Sequence, residues 1–126
     1  MKKYNSIVLL VLLLGTGCVQ KSYKRIVVFQ LNTAGIPNIQ TVGVRGEGNP
    51  LSWNADITME PIVKDSLYSA TITTISGYLF TEVKFTINGT FELKEADNRK
   101  VVFSKGDTTI YKAVFDQLPS STNAQQ

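Results

Sequence analysis

The segment TEVKFTINGTFEL, residues 81–93, places an Asn-Gly pair between two runs of alternating apolar and polar residues. Asn88 and Gly89 both tolerate the positive φ that a two-residue type I′ turn requires. Such a pair between alternating runs is the strongest short-range signal for a β-hairpin. The segment therefore predicts two antiparallel strands joined at residues 88–89.

Alternation divides the first run of this hairpin into two faces, because successive side chains of a strand point to opposite sides. The set predicted to face the core is Val83, Phe85 and Ile87, and the set predicted to face solvent is Glu82, Lys84 and Thr86. Lys84 is thus expected to emerge from a rigid strand, which positions its ammonium group better than a loop would.

Working outward from the hairpin, most of the remaining apolar residues also recur with period two. The runs are residues 25–31, 41–45, 67–74, 101–103 and 109–115, and Gly, Pro, Asn and Asp residues separate them. No segment carries a persuasive helical stripe. Several short strands of this kind predict an all-β protein, an antiparallel β-sandwich.

The beginning of the chain has the pattern of an export signal. Two lysines follow Met1, and residues 7–14 form an apolar run that the small residues 15–17 and Cys18 follow. Eight residues of helix rise only about 12 Å. This is well short of the roughly 30 Å hydrocarbon core of a bilayer, so the run is expected to direct export rather than to span a membrane.

The first 18 residues resemble a bacterial lipoprotein signal, in which the cysteine after the small residues becomes the acylated first residue. The resemblance implies a signal peptide at 1–17, then an acylated (for example palmitoylated) Cys18 with a short tether over 18–23. Val19 is not an acidic retention signal, and by likeness to enterobacterial sorting this favours the outer membrane. The alternative is a plain secretory signal with an incidental cysteine.

Composition limits what the rest of the chain can be. Loss of Lys2 and Lys3 with the signal lowers the net charge from +3 to about +1, and the charges are scattered, which argues against a nucleic-acid surface. The remaining length suits one small domain, predicted over 24–116. Residues 119–126 include no apolar side chain able to dock on the domain, and a disordered tail is predicted over 117–126.

The single tryptophan, Trp53, lies outside any strand pattern, in the turn-rich stretch 46–54. In a loop of Gly, Pro and Asn residues, a Trp is either an anchor packed against the edge of the sheet or a flat surface exposed to a ligand. Residue type alone leaves both interpretations open.

The order of short motifs along residues 24–115 resembles the starch-binding domain of family 20 carbohydrate-binding modules and its glycogen-binding relatives. The motifs are a strand ending in Val-Arg-Gly, then Pro-Leu-Ser-Trp, a Lys-Phe strand, an aromatic-Glu pair and an Asn-Arg pair. The resemblance implies an immunoglobulin-like sandwich. It also implies a sugar site at Trp53, Lys84 and Asn98, with Phe91 in place of the family's second Trp.

Each of these residues also has an ordinary structural interpretation. Lys84 could be a solvated strand lysine, Phe91 could pack the hairpin, and Asn98-Arg99 could be a turn with a surface ion pair, with Arg99 bracing the loop through carbonyl groups. The first function expected is non-catalytic binding of an α-glucan at the cell envelope, with a separate hydrolase or transporter as candidate partner. The alternatives are a protein-contact or spacer module with the same sandwich, and a different sugar.

An enzyme is not expected. The chain has no His, its one Cys is the expected acylation site, and no Ser lies in a nucleophile-elbow context. The acids Glu92, Glu95 and Asp97 crowd one loop of a domain too small for a deep cleft. They lack the spacing of a calcium loop, so neither a metal nor a cofactor is predicted.

Overall fold

A computed structural model describes residues 21–119, and in this range the chain forms nine β-strands. Cys18, the signal peptide and residues 120–126 lie outside the described residues. Within the described part, no helix is long and apolar enough to cross a membrane. The strands are β1 (Tyr23–Asn32), β2 (Val42–Gly46), β3 (Ile57–Thr58), β4 (Glu60–Val63), β5 (Leu67–Ser76), β6 (Phe80–Ile87), β7 (Thr90–Phe91), β8 (Arg99–Val102) and β9 (Thr108–Val114).

The strands form two sheets, which confirms the predicted all-β sandwich. The first sheet has the order β4-β5-β1-β9, and the second has the order β3-β2-β6-β7 with β8 also paired to β6. Every pairing is antiparallel except that of β1 with β9, which is parallel. The predicted antiparallel pattern therefore holds for all strand pairs but this one.

The core lies between the two sheets and consists of the alternate residues of the strands that point inward. Val27, Phe29 and Leu31 of β1 and Val83 and Phe85 of β6 have no solvent exposure. The rings of Phe29 and Phe85 meet edge to face across the sandwich, with centroids 5.9 Å apart. Period-two patterning thus places the β-branched and aromatic residues where their burial drives association of the sheets.

The predicted hairpin is confirmed at residues 88–89, where Ile87 pairs with Thr90 and both turn residues have positive φ. The turn also holds a distant loop. The Asn88 side-chain oxygen accepts hydrogen bonds from the backbone N–H groups of Gln40 (2.7 Å) and Thr41 (3.0 Å). Asn88 therefore meets the φ requirement of the turn and satisfies backbone donors just before β2.

A buried ion pair joins the segment after β7 to the start of β8. The Glu92 carboxylate accepts two parallel hydrogen bonds from the Arg99 guanidinium, both 2.7 Å long, and both side chains are almost fully buried. Burial lowers the pKa of Arg99, but the hydrogen bonds and charge of Glu92 outweigh it and hold that pKa above its ordinary value.

The same pair satisfies surrounding backbone groups. Glu92 also accepts from the backbone N–H groups of Phe85 and Asp116, and Arg99 also donates to the carbonyls of Val114 and Gln117. The bracing of carbonyls by Arg99 that the sequence indicates is confirmed. The other interpretation, a surface ion pair, is wrong because the pair is buried.

The packed region is slightly longer than the predicted 24–116. Tyr23, predicted to be part of the tether, is the first residue of β1 and pairs with Ser76. At the other end, the Gln117 carbonyl accepts a 2.7 Å hydrogen bond from Arg99, so ordered contacts extend into the predicted tail.

We expect Arg99→Met to lower the free energy of unfolding by about 3–5 kcal/mol, because it leaves the Glu92 carboxylate buried without its cation. Urea unfolding followed by circular dichroism measures the loss. The matched control is Lys112→Met, an exposed cation on β9, for which a change within about 0.5 kcal/mol is expected. Equal effects of the two substitutions would contradict a structural role for the buried pair.

Candidate functional site

The outer face of the second sheet gathers three of the four predicted sugar-site residues. On this face, Arg45 of β2 lies opposite Lys84 of β6, and Phe91 of β7 lies opposite Thr86. Trp53 reaches the same face from the loop after β2, as its contact with Phe91 shows. We call this surface the aromatic face; its members are Arg45, Trp53, Asp56, Lys84, Thr86 and Phe91.

Two aromatic rings and a guanidinium group are assembled at its centre. The ring centroids of Trp53 and Phe91 are 6.4 Å apart with planes inclined at 53°, and the Arg45 guanidinium carbon is 5.0 Å from the Phe91 centroid. All three side chains are half-buried, so each keeps some surface for solvent. The arrangement combines a cation–π contact with aromatic surface that is still open.

Trp53 is held by the backbone of its own loop. The Gly46 N–H donates to the Ser52 carbonyl, and Arg45 Nη1 donates to the Trp53 carbonyl at 3.4 Å. The loop thus runs back beside β2, and this fixes where the indole leaves the backbone. The structure combines features of both interpretations of Trp53, since the ring contacts Phe91 and remains partly exposed.

Asp56 links two polar side chains of the aromatic face, Arg45 and Thr86. Its Oδ1 accepts a 2.6 Å hydrogen bond from Arg45 Nε and a 2.9 Å hydrogen bond from Thr86 Oγ1. Thr86 is on the predicted outer face but has no solvent exposure, so the expectation that it faces solvent is wrong. The reason is that Asp56 and the neighbouring Phe91 cover a strand position that would otherwise be open.

Glycine is required where Asp56 lies against β2. A Cβ built on Gly43 would come within 2.5 Å of Asp56 Cγ, a distance that no non-bonded carbon pair adopts. Only an unsubstituted Cα leaves room for the carboxylate to cross the strand and reach Arg45 and Thr86 together.

Lys84 emerges from β6 as predicted, but two of its three N–H donors are used within the protein. Its Nζ donates to the carbonyls of Leu93 (2.8 Å) and Ala96 (3.0 Å). The ammonium group therefore ties down the loop between β7 and β8, and one donor is left for solvent or a ligand. A sugar contact by Lys84 stays a prediction.

Asn98 is exposed and directly precedes β8. Because Arg99 pairs with Val83, continuing the antiparallel register by one residue brings the Asn98 backbone beside Lys84. This places Asn98 near the edge of the aromatic face. Its role in sugar binding also stays a prediction.

Sequence reasoning missed two members of the face, Arg45 and Asp56. A signal for Arg45 was present, since alternation in β2 puts Val42 and Val44 inside and therefore Arg45 outside, across from Lys84. Asp56 lies outside the strands, where no period applies, so its contact with Thr86 has no local sequence signal.

No protein-family model matches this chain, and no curated protein matches it. The likeness to starch-binding domains therefore rests on the order of the motifs quoted above.

We expect Gly43→Ala to displace Asp56 and loosen Arg45 and Trp53, at a cost of about 1–3 kcal/mol in the free energy of unfolding. Urea unfolding gives the cost, and a red shift of the Trp53 emission reports the exposure of the indole. Gly106→Ala is the matched control, because a Cβ there meets nothing within 4 Å. An unchanged Trp53 spectrum in Gly43→Ala would contradict the role assigned to Asp56.

Proposed function

We propose that this protein is a non-catalytic, lipid-anchored module that binds an α-glucan, such as starch, glycogen or a maltooligosaccharide, on the aromatic face. The observation that carries the proposal is the half-exposed pair of Trp53 and Phe91, 6.4 Å apart, beside the cationic groups of Arg45 and Lys84. A glucose ring has an apolar face of C–H groups that stacks on such rings.

The groups around the rings suit the hydroxyls of a sugar. Arg45 and Lys84 supply N–H donors, and the exposed Asn98 amide supplies both donors and an acceptor. Each such contact competes with water and contributes only about 0.5–1.5 kcal/mol. We therefore expect a dissociation constant on the order of 0.1–1 mM for a short oligosaccharide, and tighter apparent binding to a polymer held at several points.

Binding without catalysis is supported by the contacts of the acids in and beside this face. Asp56, the acid in the face, accepts hydrogen bonds from Arg45 and Thr86. Glu92, the nearest acid in sequence to Phe91, is buried and bound to Arg99, so it has no access to a glycosidic bond. Glu95 and Asp97 are exposed on a loop. An exposed loop does not provide the fixed carboxylate pair that glycoside hydrolysis requires.

Attachment to the envelope is proposed from the sequence of the first 18 residues. Acylation of Cys18 would hold the domain at a membrane, with the outer membrane favoured by the residue after the cysteine. Several acyl chains give durable attachment, since each buried methylene contributes about 0.8 kcal/mol. A glucan held there would be available to a separate hydrolase or transporter.

A second candidate is a module that contacts an envelope protein without binding sugar. It is favoured by Lys84, whose ammonium already has two carbonyl partners, and by the partial burial of Trp53. In this alternative the aromatic rings serve mainly to pack the loop after β2 against the sheet.

The test is a calorimetric titration of residues 19–126 with β-cyclodextrin and maltoheptaose. We expect saturable binding that Trp53→Ala and Phe91→Ala each weaken about tenfold, equal to roughly 1.4 kcal/mol. Pull-down on insoluble starch should follow the same order. Tyr78→Ala is the matched control, because this exposed tyrosine lies outside the aromatic face.

Each other result has a distinct meaning. No heat and no starch pull-down up to about 10 mM ligand would reject the α-glucan proposal and favour the protein-contact alternative. Binding to cellohexaose in place of maltoheptaose would retain a sugar site but change the sugar. Equal losses in Tyr78→Ala and Trp53→Ala would place binding outside the aromatic face.

A further inference from the structure

The end of β5 and its connection to β6 expose an apolar surface at one end of the sandwich. Ile75, Tyr78 and Leu79 are 75%, 72% and 74% exposed, and they lie within five consecutive residues. We call residues 75–80, with the half-exposed Phe80 at their end, the apolar tip. Single exposed apolar residues are common, but a contiguous set of this kind marks a surface that contacts something other than water.

The start of the described chain lies against the apolar tip. Tyr23 pairs with Ser76, and a Cβ at Gly77 would be 3.0 Å from the Lys21 carbonyl oxygen. Cys18 precedes Lys21 by three residues, and three residues span at most about 11 Å. The expected acylation site is therefore only three positions along the chain from a residue that lies against the tip.

Cationic groups surround the same end. Lys21 and Lys24 are exposed, the Arg25 guanidinium carbon is 5.3 Å from the ring centroids of both Tyr23 and Phe103, and Lys100 Nζ is 4.3 Å from the Phe80 centroid. An apolar centre with tyrosine rings and a basic surround matches the interfacial layer of a bilayer that carries anionic headgroups. Acidic residues lie at this end as well: Glu47 shares a pocket with Tyr78, Glu82 pairs with Lys100, and the Asp107 carbonyl accepts a hydrogen bond from the Ile26 N–H of β1.

We propose that the apolar tip inserts into the headgroup region of the bilayer that holds Cys18, so that the sandwich stands upright on the membrane. The inference rests on the acylation of Cys18 in the proposed function. The acyl chains supply attachment, while Tyr78 and Leu79 supply a second contact that limits rotation about the tether.

This orientation fixes the position of the aromatic face. β6 begins with Phe80 at the tip and contributes Lys84 and Thr86 to the aromatic face. At about 3.3 Å per residue, these positions lie roughly 13 and 20 Å farther along the strand. The aromatic face is then directed sideways above the headgroups, where a polymer can lie across it.

The experiment compares the depth of two positions in the full chain produced with its signal in a bacterial host. Leu79→Trp and Ile62→Trp are each made in a Trp53→Phe background and reconstituted into vesicles of phosphatidylethanolamine and phosphatidylglycerol. Ile62 is the matched control, because it is 57% exposed on β4 near the opposite end of β5. Mass spectrometry of the N-terminal peptide reports acylation separately.

We expect lipids brominated on their acyl chains to lower the emission at position 79 at least about twofold and to leave position 62 within error, since interfacial groups lie about 5–10 Å deep. Acylated, vesicle-bound protein with equal or no quenching at the two positions would overturn the inference and leave the anchor intact.

Two other results would also overturn it. Unmodified Cys18 would remove the anchor on which the orientation depends, while the calorimetric titration would still report on the sugar site. A blue shift at position 79 that depends on protein concentration and not on lipid would identify a second copy of the chain as the partner of the tip.

Discussion

The buried pair of Glu92 and Arg99 is the constraint on which the outer part of the second sheet depends. Glu92 accepts from the Phe85 N–H and Arg99 donates to the Val114 carbonyl, so the pair joins β6 to the last residue of β9. The two hydrogen bonds between Glu92 and Arg99 close the loop between β7 and β8. Taking two charges out of water is costly, and it succeeds here because the remaining oxygens and N–H groups find partners. The carbonyls that receive the Lys84 ammonium lie in the loop that this pair closes.

Much of the fold could be predicted from the sequence because its determinants are local. The Asn88-Gly89 turn requires only its own φ values, and alternation in β1, β5 and β6 follows directly from which side chains are apolar. The parallel pairing of β1 with β9 could not be predicted in this way, because it joins residues from opposite ends of the domain. The direction of such a pairing produces no periodic pattern in the sequence.

The residues of the candidate site likewise fall into those with a local sequence signal and those placed by long-range contacts. The outward position of Lys84 could be predicted because it lies in a strong hairpin, and Arg45 could have been found from the alternation of β2. The assignment of Phe91 to the site comes only from the resemblance to starch-binding domains. The burial of Thr86 and the position of Asp56 depend on a loop folding back over the sheet. The path of this loop is set by tertiary contacts, so the hydrogen bonds of Asp56 with Arg45 and Thr86 are visible only in the structure.

The parallel pairing of β1 with β9 also has a consequence for how the chain folds. Arg25 and Ser104, which are joined by a hydrogen bond beside this pairing, are 79 positions apart, so closure of the first sheet requires nearly the whole domain. Long-range closure is entropically costly and slows folding. Until β9 arrives, one edge of β1 carries unpaired N–H and C=O groups, and a chain interrupted before residue 108 would keep that edge permanently open to strand-to-strand aggregation.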